Sequence, residues 1–326
     1  MNSFLSYKLK CLSFFLMLLV VLLHSSLLDY STGISYSIQC FITVSVTRIA
    51  VPLFFIISGF LFFIDKNVTL NFFKIQYLKR AKSLLMPYCF WCGLGCIMWA
   101  IYQQNFWPFE HFSFNPPRAV YQLWFLRDLI LCVIMSPLIY VALKYLKIMA
   151  VILLFFLMPH VSFVEGFSLF DFALGAYIAL NKLPFISDER IFPMRTFFMG
   201  MIWGGGCFFQ YYSYGMNYTY ISHIIILLGI IFVWILYNII HRTGILHFRN
   251  DWVLSTSFFI YLFHEPLLSI IKKTALIFNP NPNFGTMIVY VLSFMLTTTI
   301  CILVAHILNR KIPVFYNFIT GGRTIK

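Results

Sequence analysis

Long runs of apolar residues follow one another along almost the whole chain, and they restrict the folds that it can adopt. A helix needs about 20 predominantly apolar residues to cross the hydrocarbon core of a bilayer. Only 10% of the residues are charged, whereas soluble domains carry about a quarter, so the chain cannot cover a water-exposed surface with charge. The sequence therefore predicts an all-α integral membrane protein of about ten transmembrane helices, a single transmembrane domain over residues 1–326 with no separate soluble domain. The predicted spans are 11–28, 40–63, 84–102, 121–143, 148–159, 165–181, 194–212, 220–240, 254–271 and 285–308.

The basic residues between these runs predict the orientation of the chain. With the N-terminus placed inside, eighteen of the 23 Lys and Arg residues fall on inner segments, four fall on outer segments or outer span ends, and Arg48 lies within a span. Since cytoplasmic loops carry an excess of Lys and Arg, we expect an even number of spans and both termini in the cytoplasm. The net charge of +13 does not indicate a nucleic acid partner, because the basic residues lie in short clusters rather than in a continuous stripe.

A few ionisable residues interrupt the apolar spans, and such residues are costly in a membrane unless they have a role. At 1.5 Å per helical residue, five of them lie roughly 6 to 12 Å from the outer ends of five different spans. This shared depth predicts a polar chamber that opens towards the outer face. Alternatively, each charge is paired separately or reaches the lipid headgroups, and a local structural pair is an equal alternative for Arg127 and Asp128. The five residues are His24, Arg48, Arg127, Asp171 and His264.

Six sequence strings occur in an order that resembles a known family. They are FFLMLLVVLLHSS, RIAVPLFFIISGFLFF, YLKRAKSLLMPY, YQLWFLRDLILCVIMSPLIY, FSLFDFALGAYIAL and SFFIYLFHEPLL. Together they look like the bacterial acyltransferase family 3 of integral membrane proteins, from about residue 8 to residue 308. The resemblance implies a ten-helix O-acyltransferase of the bacterial inner membrane. Such an enzyme moves an acyl group, most often acetyl from acetyl-CoA, to a hydroxyl of a surface glycan (lipopolysaccharide or capsule) or of its lipid-linked precursor, without a metal.

The same resemblance implies that His24 is catalytic. In the family an Arg precedes this His by ten intervening residues, and that position is Ser13 here. Lys10 lies one turn earlier, within roughly 40° of the helix face of His24, so either Lys10 supplies the missing charge or the role is lost. The Arg of the family's second helix matches Arg48, ahead of the Ser-Gly-Phe string that starts at Ser58. A sugar hydroxyl needs a base near neutral pH, which a histidine provides, and His24 could instead accept the acyl group itself.

Two further sets of residues complete the predicted site. Arg48 could stabilise the oxyanion that develops during acyl transfer, or bind a carboxylate or phosphate. Asp171 or Glu265 could orient a histidine ring. Some of the predicted substrate-binding residues could instead serve helix packing, the aromatic belt or interhelical hydrogen bonds. The predicted CoA-binding residues could instead be ordinary positive-inside charge. The predicted substrate-binding residues are Ser58, Trp124, Arg127, Asp128, Asp171, Tyr261, His264 and Glu265, and the predicted CoA-binding residues are Lys10, Lys79, Arg80 and Lys82.

Three functions are compatible with the sequence alone. The first is the O-acyltransferase, and the second is a transporter or exporter of glycan or lipid, since buried charges are equally common in transporters. A transporter often shows an inverted repeat, and none is visible. The third is a family member that has lost its chemistry, which the Ser13 departure favours. An enzyme consumes acyl-CoA, a transporter moves its substrate without consuming acyl-CoA, and a degenerate member does neither.

Overall fold

The computed structural model describes residues 3–64, 68–103, 115–183, 186, 188–244, 251–278 and 281–325. Over these ranges the chain is helical and contains no β-strand, which confirms the predicted all-α class. The α-helices are α1 (Ser3–His24), α2 (Gly33–Val44), α3 (Ala50–Phe63), α4 (Leu70–Arg80), α5 (Met86–Gln103), α6 (Trp124–Ile134), α7 (Ser136–Leu146), α8 (Ile148–Leu157), α9 (Ser168–Leu180), α10 (Pro193–Tyr212), α11 (Thr219–Arg242), α12 (Ser257–Phe278), α13 (Phe284–Lys311) and α14 (Pro313–Ile319).

A helix is present at each of the ten predicted positions, but not every helix is long and apolar enough to cross a bilayer. Helix α10 lies outside that group, because its arginine, glutamine and glycines reduce its hydropathy. The apolar helices Ile148–His160 and Ser168–Leu180 are shorter, and a bend of 58° separates α6 from α7. The count of ten spans and the location of both termini therefore stay predictions. The six segments that qualify are Ser3–Tyr30, Gly33–Phe63, Leu70–Ile101, Thr219–Arg242, Leu254–Phe278 and Phe284–Lys311, with Arg118–Leu146 as a seventh if the bent pair forms one span.

The first predicted span is shifted at both ends. Helix α1 begins at Ser3, eight residues before the predicted start, and His24 is its last residue. The chain leaves the helix here because Ser25 Oγ donates to the Val21 carbonyl at 2.7 Å and the Leu27 amide donates to a side chain of α2. Such bonds give the backbone an alternative to the helix. The prediction that His24 lies four residues inside a continuous helix is therefore wrong.

The second predicted span begins at Gly33 rather than at residue 40, and it is interrupted by a 3-10 turn at Val46–Ile49. Within the turn, Thr47 Oγ1 donates to the Thr43 carbonyl at 3.1 Å, and Arg48 Nε donates to the same carbonyl at 3.0 Å. Side chains that bond to nearby carbonyls compete with helical hydrogen bonds. The prediction of one continuous helix around Arg48 is therefore wrong, because Arg48 lies in the break between α2 and α3.

The described chain divides into two compact units. His24, Arg48 and Lys10 belong to the first unit, and the other predicted site residues belong to the second. The prediction of a single domain stays a prediction. The first unit is Met1–Phe54, Leu183–Leu254 and Leu268–Thr298, and the second unit is Phe55–Lys182, Ser255–Leu267 and Thr299–Lys326.

Helices α10 and α11 pack side by side in the first unit. Gly206 of α10 faces Ile225 of α11 so closely that an added Cβ would lie 2.7 Å from the Ile225 side chain. Helix α2 packs on the other side of α10, where the Phe41 and Phe208 rings lie 5.2 Å apart. The 3-10 turn that carries Arg48 contacts α1 and α11. The break in the second span is thus held inside a packed group of helices.

Helices α3 and α9 cross in direct backbone contact in the second unit. A Cβ added to Gly59 would lie 2.0 Å from the Phe172 carbonyl oxygen, and one added to Gly175 would lie 2.0 Å from the Ile56 carbonyl oxygen. Small residues allow membrane helices to approach in this way. The reciprocal contact shows that Gly59 and Gly175 serve helix packing.

Helix α12 contains Pro266, which has no amide hydrogen for the Leu262 carbonyl four residues earlier. The buried Gln122 side chain occupies that carbonyl instead, since its Nε2 donates to Leu262 O at 3.4 Å. In return, the Tyr261 hydroxyl donates to the Gln122 carbonyl at 3.0 Å. The proline thus creates an acceptor that ties α12 to the segment before α6.

Candidate functional site

His24 lies half-buried at the C-terminal end of α1. A lysine caps this helix end, because Lys272 Nζ on α12 donates to the His24 carbonyl at 2.7 Å and to the Ser26 carbonyl at 3.3 Å. A cation at a helix C-terminus is favourable, since unsatisfied carbonyls give that end partial negative charge. The cap fixes the backbone of His24, so the imidazole ring extends from a defined position. An imidazole can take up a proton near neutral pH.

The chain beyond His24 is held by a buried amide. Gln39 of α2 is fully buried, and its Oε1 accepts the Leu27 amide at 2.8 Å. Its Nε2 donates to Ser31 Oγ and to Ser35 Oγ, both at 2.9 Å. Ser35 Oγ in turn lies 3.0 Å from Thr286 Oγ1 on α13. This connected network ties the turn after His24 to α2 and α13, and such networks rigidify a site.

Arg48 is exposed, and its Nε is fixed on the Thr43 carbonyl at 3.0 Å. The break between α2 and α3 explains why an arginine can be carried here, since non-helical backbone at membrane depth occurs where it is packed in protein or lines a cavity. A guanidinium anchored through one nitrogen can offer its remaining donors to a carboxylate, a phosphate or an oxyanion.

Sequence reasoning missed a buried cation in α1. Lys8 is fully buried, and its Nζ donates to Asn238 Oδ1 at 2.9 Å and lies 4.1 Å from the centre of the Trp234 ring. Among the described residues, no carboxylate oxygen forms an ion pair with Lys8. A lysine just before the first apolar run resembles ordinary flanking charge, but α1 begins at Ser3 and includes Lys8.

Lys10, the residue predicted to replace the missing family arginine, points elsewhere. Its Nζ lies 3.2 Å from Asp251 Oδ2, and both side chains are substantially exposed. An exposed ion pair of this kind contributes at most about 1 kcal/mol to stability. Lys8, rather than Lys10, is therefore the cation of α1 that lies within the protein.

Arg127 and Asp128 form a saturated ion pair in the second unit. Arg127 Nη2 lies 2.7 Å from Asp128 Oδ1, and Nη1 donates to Asn115 Oδ1 at 2.6 Å. The other Asp128 oxygen accepts the Glu165 amide at 2.6 Å and the Ser168 hydroxyl at 3.3 Å. The pair thus joins α6 to the start of α9. This arrangement favours the structural alternative, since both charged groups are used internally.

We expect Asp128→Ala to destabilise the protein strongly, because it leaves the buried Arg127 charge with only the longer contact to Glu165 Oε1, at 3.7 Å. Breaking a buried ion pair in this way costs about 3 to 5 kcal/mol. Thermal unfolding of purified protein measures the loss, and Asp251→Ala, which breaks the exposed Lys10 pair, is the control with a shift close to zero. Unchanged thermal stability in Asp128→Ala, together with lost substrate binding, would contradict the structural role.

Tyr261 and His264 are also bound to nearby backbone. The buried Tyr261 hydroxyl donates to the Gln122 carbonyl at 3.0 Å and accepts the Leu126 amide at 3.3 Å. His264 is fully buried, and its Nδ1 lies 2.9 Å from the Tyr261 carbonyl and 3.0 Å from the Ile260 carbonyl. Because carbonyl oxygens only accept, Nδ1 carries the ring proton in the neutral form. Because the Tyr261 hydroxyl bonds to the backbone of Gln122 and Leu126, it serves interhelical hydrogen bonding, the alternative role that was predicted for it.

The remaining predicted substrate residues differ in exposure. Asp171 and Glu265 are buried, Asp171 in the first turn of α9 and Glu265 within hydrogen-bonding reach of the Tyr121 hydroxyl. Trp124 begins α6, and it is half-buried, as is Ser58. An acidic residue in a first helical turn is favoured by the helix dipole. The predicted common chamber for these residues and His24 stays a prediction.

The basic cluster of the third predicted span surrounds a π-helical turn at Ala81–Leu85. Lys79 and Lys82 are exposed, whereas the Arg80 guanidinium lies 5.9 Å from the centre of the Phe62 ring. Arg323, which sequence reasoning did not single out, donates to the Ser83 carbonyl at 2.8 Å. Burial, together with the like charge of Arg80, lowers the pKa of Arg323 to about 10. The two exposed lysines remain able to attract anions from solution.

Comparison with known proteins gives a family match over most of the chain. A sequence model of a family described as an acyltransferase domain matches residues 7–306. The succinoglycan biosynthesis protein ExoH of Rhizobium meliloti (strain 1021) is 24% identical over 322 residues, covering 88% of this chain and 82% of that protein. No solved structure matches the chain. The family match includes α1 with His24, the break with Arg48 and the α3–α9 crossing.

Proposed function

This chain belongs to the acyltransferase family whose model matches residues 7–306, and on that premise we propose that it transfers an acyl group, most simply acetyl, from acyl-CoA to a glycan hydroxyl. The glycan acceptor is supported by the relative that functions in succinoglycan biosynthesis. The acceptor we propose is a surface polysaccharide or its lipid-linked precursor. The protein would act in the inner membrane of a bacterium, where multi-pass helices of this kind reside.

The observation that carries the proposal is the placement of His24. Its backbone is capped by Lys272, and the following turn is fixed by Gln39, so the imidazole extends from a rigid helix end. A general base must be held within hydrogen-bonding reach of the hydroxyl that it deprotonates. A ring on a frayed helix end would not meet that requirement, and the contacts of Lys272 and Gln39 oppose such fraying.

We propose direct transfer with His24 as general base. His24 takes the proton of the glycan hydroxyl as its oxygen forms a bond to the thioester carbonyl carbon. The carbon–sulfur bond then breaks, and His24 returns the proton to the leaving CoA sulfur, which gives ester and free thiol. Arg48 would stabilise the negative charge on the carbonyl oxygen during this step, as donors aimed at an oxyanion do.

The donor carries several phosphates and comes from the cytoplasm. Exposed Lys79 and Lys82, on the predicted cytoplasmic side, would raise the local concentration of such an anion by long-range attraction. Lys10 is held by Asp251 and Arg80 lies against Phe62, so these two would contribute to the same field rather than bind tightly. No metal is required, because the thioester is already activated and the base is a side chain.

A transfer assay on the purified full-length protein in lipid nanodiscs tests the proposal. We expect radiolabelled acetyl to pass from acetyl-CoA to a bacterial exopolysaccharide, with release of one free thiol per ester formed. Comparison of surface glycan from cells with and without the gene should show a mass difference of one acetyl group per modified repeat. Glycan movement without acyl-CoA consumption, or no consumption by the purified protein with any glycan, would overturn the proposal.

We expect Lys272→Met to reduce the turnover number about tenfold. The substitution keeps the side-chain length but leaves the His24 and Ser26 carbonyls without their donor, and losing a charged hydrogen bond costs roughly 1.5 to 3 kcal/mol. The neighbouring Lys273→Met is a matched control, since Lys273 is exposed. Equal turnover numbers for the two variants would contradict a positioning role for Lys272.

A further inference from the structure

A cavity of about 530 Å³ lies in the first unit where α1 begins and α11 ends. We propose that this cavity, here named the nucleotide pocket, binds the 3′-phosphoadenosine diphosphate end of the acyl-CoA donor. The inference rests on the proposed function, which names acyl-CoA as donor but assigns its nucleotide to no site. The nucleotide pocket is lined by Phe4, Arg190, Phe192, Asn238, His241 and Arg242.

The size and position of the nucleotide pocket suit this ligand. Sites for small molecules and cofactors have volumes of about 300 to 1,000 Å³, and the nucleotide pocket lies within that range. It is formed by the start of α1, the segment before α10 and the end of α11. Positive-inside charge assigns all three to the cytoplasmic face, which is the side that CoA occupies.

Aromatic rings line two sides of the nucleotide pocket. The Phe4 and His241 rings meet edge to face with their centres 5.3 Å apart, and Tyr237 stacks on His241 at 5.5 Å with 14° between the planes. Phe192 lines the pocket from the segment before α10. Purine bases stack on such rings, and each stacking contact contributes about 1 to 3 kcal/mol in nucleic acid complexes. A simple phosphate or sulfate would gain nothing from them.

The charges around the pocket favour a phosphorylated ligand. Arg190 and Arg242 line it together with the single acidic residue Glu189. Arg190 Nη2 lies 2.8 Å from Asp188 Oδ2, and hydrogen bonds from Arg190 lower the pKa of Asp188 to about 2. The Arg190 guanidinium also lies 5.5 Å from the centre of the Phe192 ring. Arg190 Nε also donates to both Asp188 oxygens, at 2.9 and 3.1 Å, so Nη1 is the donor that remains for a phosphate. Arg242 forms no ion pair with a carboxylate in the described part of the chain.

A buried cation lies behind the pocket wall. Asn238 lines the pocket, accepts a hydrogen bond from Lys8 Nζ at 2.9 Å, and donates to the Asp188 carbonyl at 2.8 Å and the Arg190 carbonyl at 3.2 Å. Asn238 therefore fixes the loop that carries Arg190. Lys8 thus supports the wall of the nucleotide pocket through Asn238.

Helix α1 connects the nucleotide pocket with the proposed base. Lys8 and His24 lie sixteen residues apart on α1, or about 24 Å along its axis. A donor whose nucleotide end lies near Lys8 would extend its narrow acyl-pantetheine arm in the direction of His24. The pocket thus supplies the charged anchor, while the reacting thioester lies at the far end of the ligand.

Binding of CoA and of 3′-phosphoadenosine 5′-phosphate to the purified full-length protein tests the inference. We expect the double variant Phe192→Ala/Arg242→Gln to weaken both ligands about tenfold or more, since one charged hydrogen bond alone is equivalent to that factor. Lys144→Gln, on an exposed inner segment of the second unit, is the charge-matched control with unchanged affinity. Arg242→Lys should recover part of the affinity, and thermal unfolding should show that each variant is folded.

Three results separate the inference from the proposed function. Acetyl transfer from S-acetyl-pantetheine, which has no nucleotide, should be the same in wild type and double variant, whereas the KM for acetyl-CoA should rise in the variant. If wild type transfers acetyl and the double variant has an unchanged KM, the nucleotide pocket is wrong and the proposed function survives. If phosphatidylglycerol vesicles or inorganic phosphate bind in a variant-sensitive way and the adenine ligand does not, the pocket is a lipid headgroup or phosphate site.

Discussion

His24→Ala abolishes acyl transfer to glycan while the protein remains folded, if the imidazole at the end of α1 is the general base. Removal of a positioned acid–base group reduces rates by about a hundredfold to ten-thousandfold, so we expect the turnover number to fall by at least about a hundredfold. The carbonyl of residue 24 still accepts from Lys272 in the variant, because that bond uses the backbone. Thermal stability should therefore change little. The measurement is radiolabelled transfer from acetyl-CoA under saturating donor and glycan.

Controls for this variant separate a catalytic effect from a general one. His306→Ala removes another histidine from a membrane-spanning helix, α13, and should keep the wild-type turnover number. His24→Gln retains polarity without a basic nitrogen and should be as inactive as His24→Ala. Acyl transfer by His24→Ala at the wild-type rate would contradict the proposed mechanism. Mass spectrometry of the wild type incubated with acetyl-CoA alone distinguishes the two chemical routes, because an acetylated His24 would indicate an acyl-enzyme rather than direct transfer.

The positions of the helices could be predicted from the sequence, because apolar runs in a membrane protein have few alternatives to the helix. The breaks in these helices could not be predicted from the sequence. Ser45, Thr47 and Arg48 interrupt the second span through bonds to backbone carbonyls on α2 and α10. Such bonds depend on which carbonyl lies nearby in the folded chain, and hydropathy contains no information about that. Counting along an unbroken helix therefore missed the break at Arg48.

Sequence reasoning found polar residues but could not divide them between chemistry and support. Arg127 and Asp128 look like a substrate site until their partners Asn115, Glu165 and Ser168 are known. Those partners come from segments far along the chain, so no local spacing indicates them. Lys8 was missed for a different reason: a lysine near the terminus resembles ordinary flanking charge, although it is buried in the folded chain. Its burial depends on Asn238, which lies 230 residues away on α11.

Pro266 shows what a sequence string can conceal. The proline in HEPLL looks like a kink, yet α12 continues through it from Ser257 to Phe278. The carbonyl that it leaves without a helical donor is bound by Gln122, so two strings of the family resemblance are parts of one contact. The order of the strings identified the family, whereas only the fold shows why a glutamine and a proline occur together.

Gly59→Ala and Gly175→Ala are each expected to destabilise the folded protein strongly. The new methyl carbon would lie 2.0 Å from a backbone carbonyl oxygen of the crossing helix, whereas real contacts need well over 3 Å. Neither obstacle is a flexible side chain, so α3 and α9 must separate along their whole contact. Overpacking usually reduces the free energy of unfolding by about 1 to 3 kcal/mol and occasionally by more. We expect a loss at or above the upper end of that range. Size-exclusion chromatography of detergent-solubilised protein, followed by thermal unfolding, measures the effect.

Gly93→Ala is the matched control for both glycine variants. Gly93 lies in α5 within the same unit, and an alanine there would meet no atom within 4 Å. Alanine is favoured over glycine in a helix by up to about 1 kcal/mol, so Gly93→Ala should be as stable as the wild type or more so. The two close contacts belong to one crossing, so the double variant Gly59→Ala/Gly175→Ala should lose less stability than the sum of the losses of the two single variants. Once the helices have separated for one methyl group, there is space for the second. Single variants that fold as well as Gly93→Ala would show that α3 and α9 do not cross in backbone contact, and the Ser-Gly string would then need a role in binding.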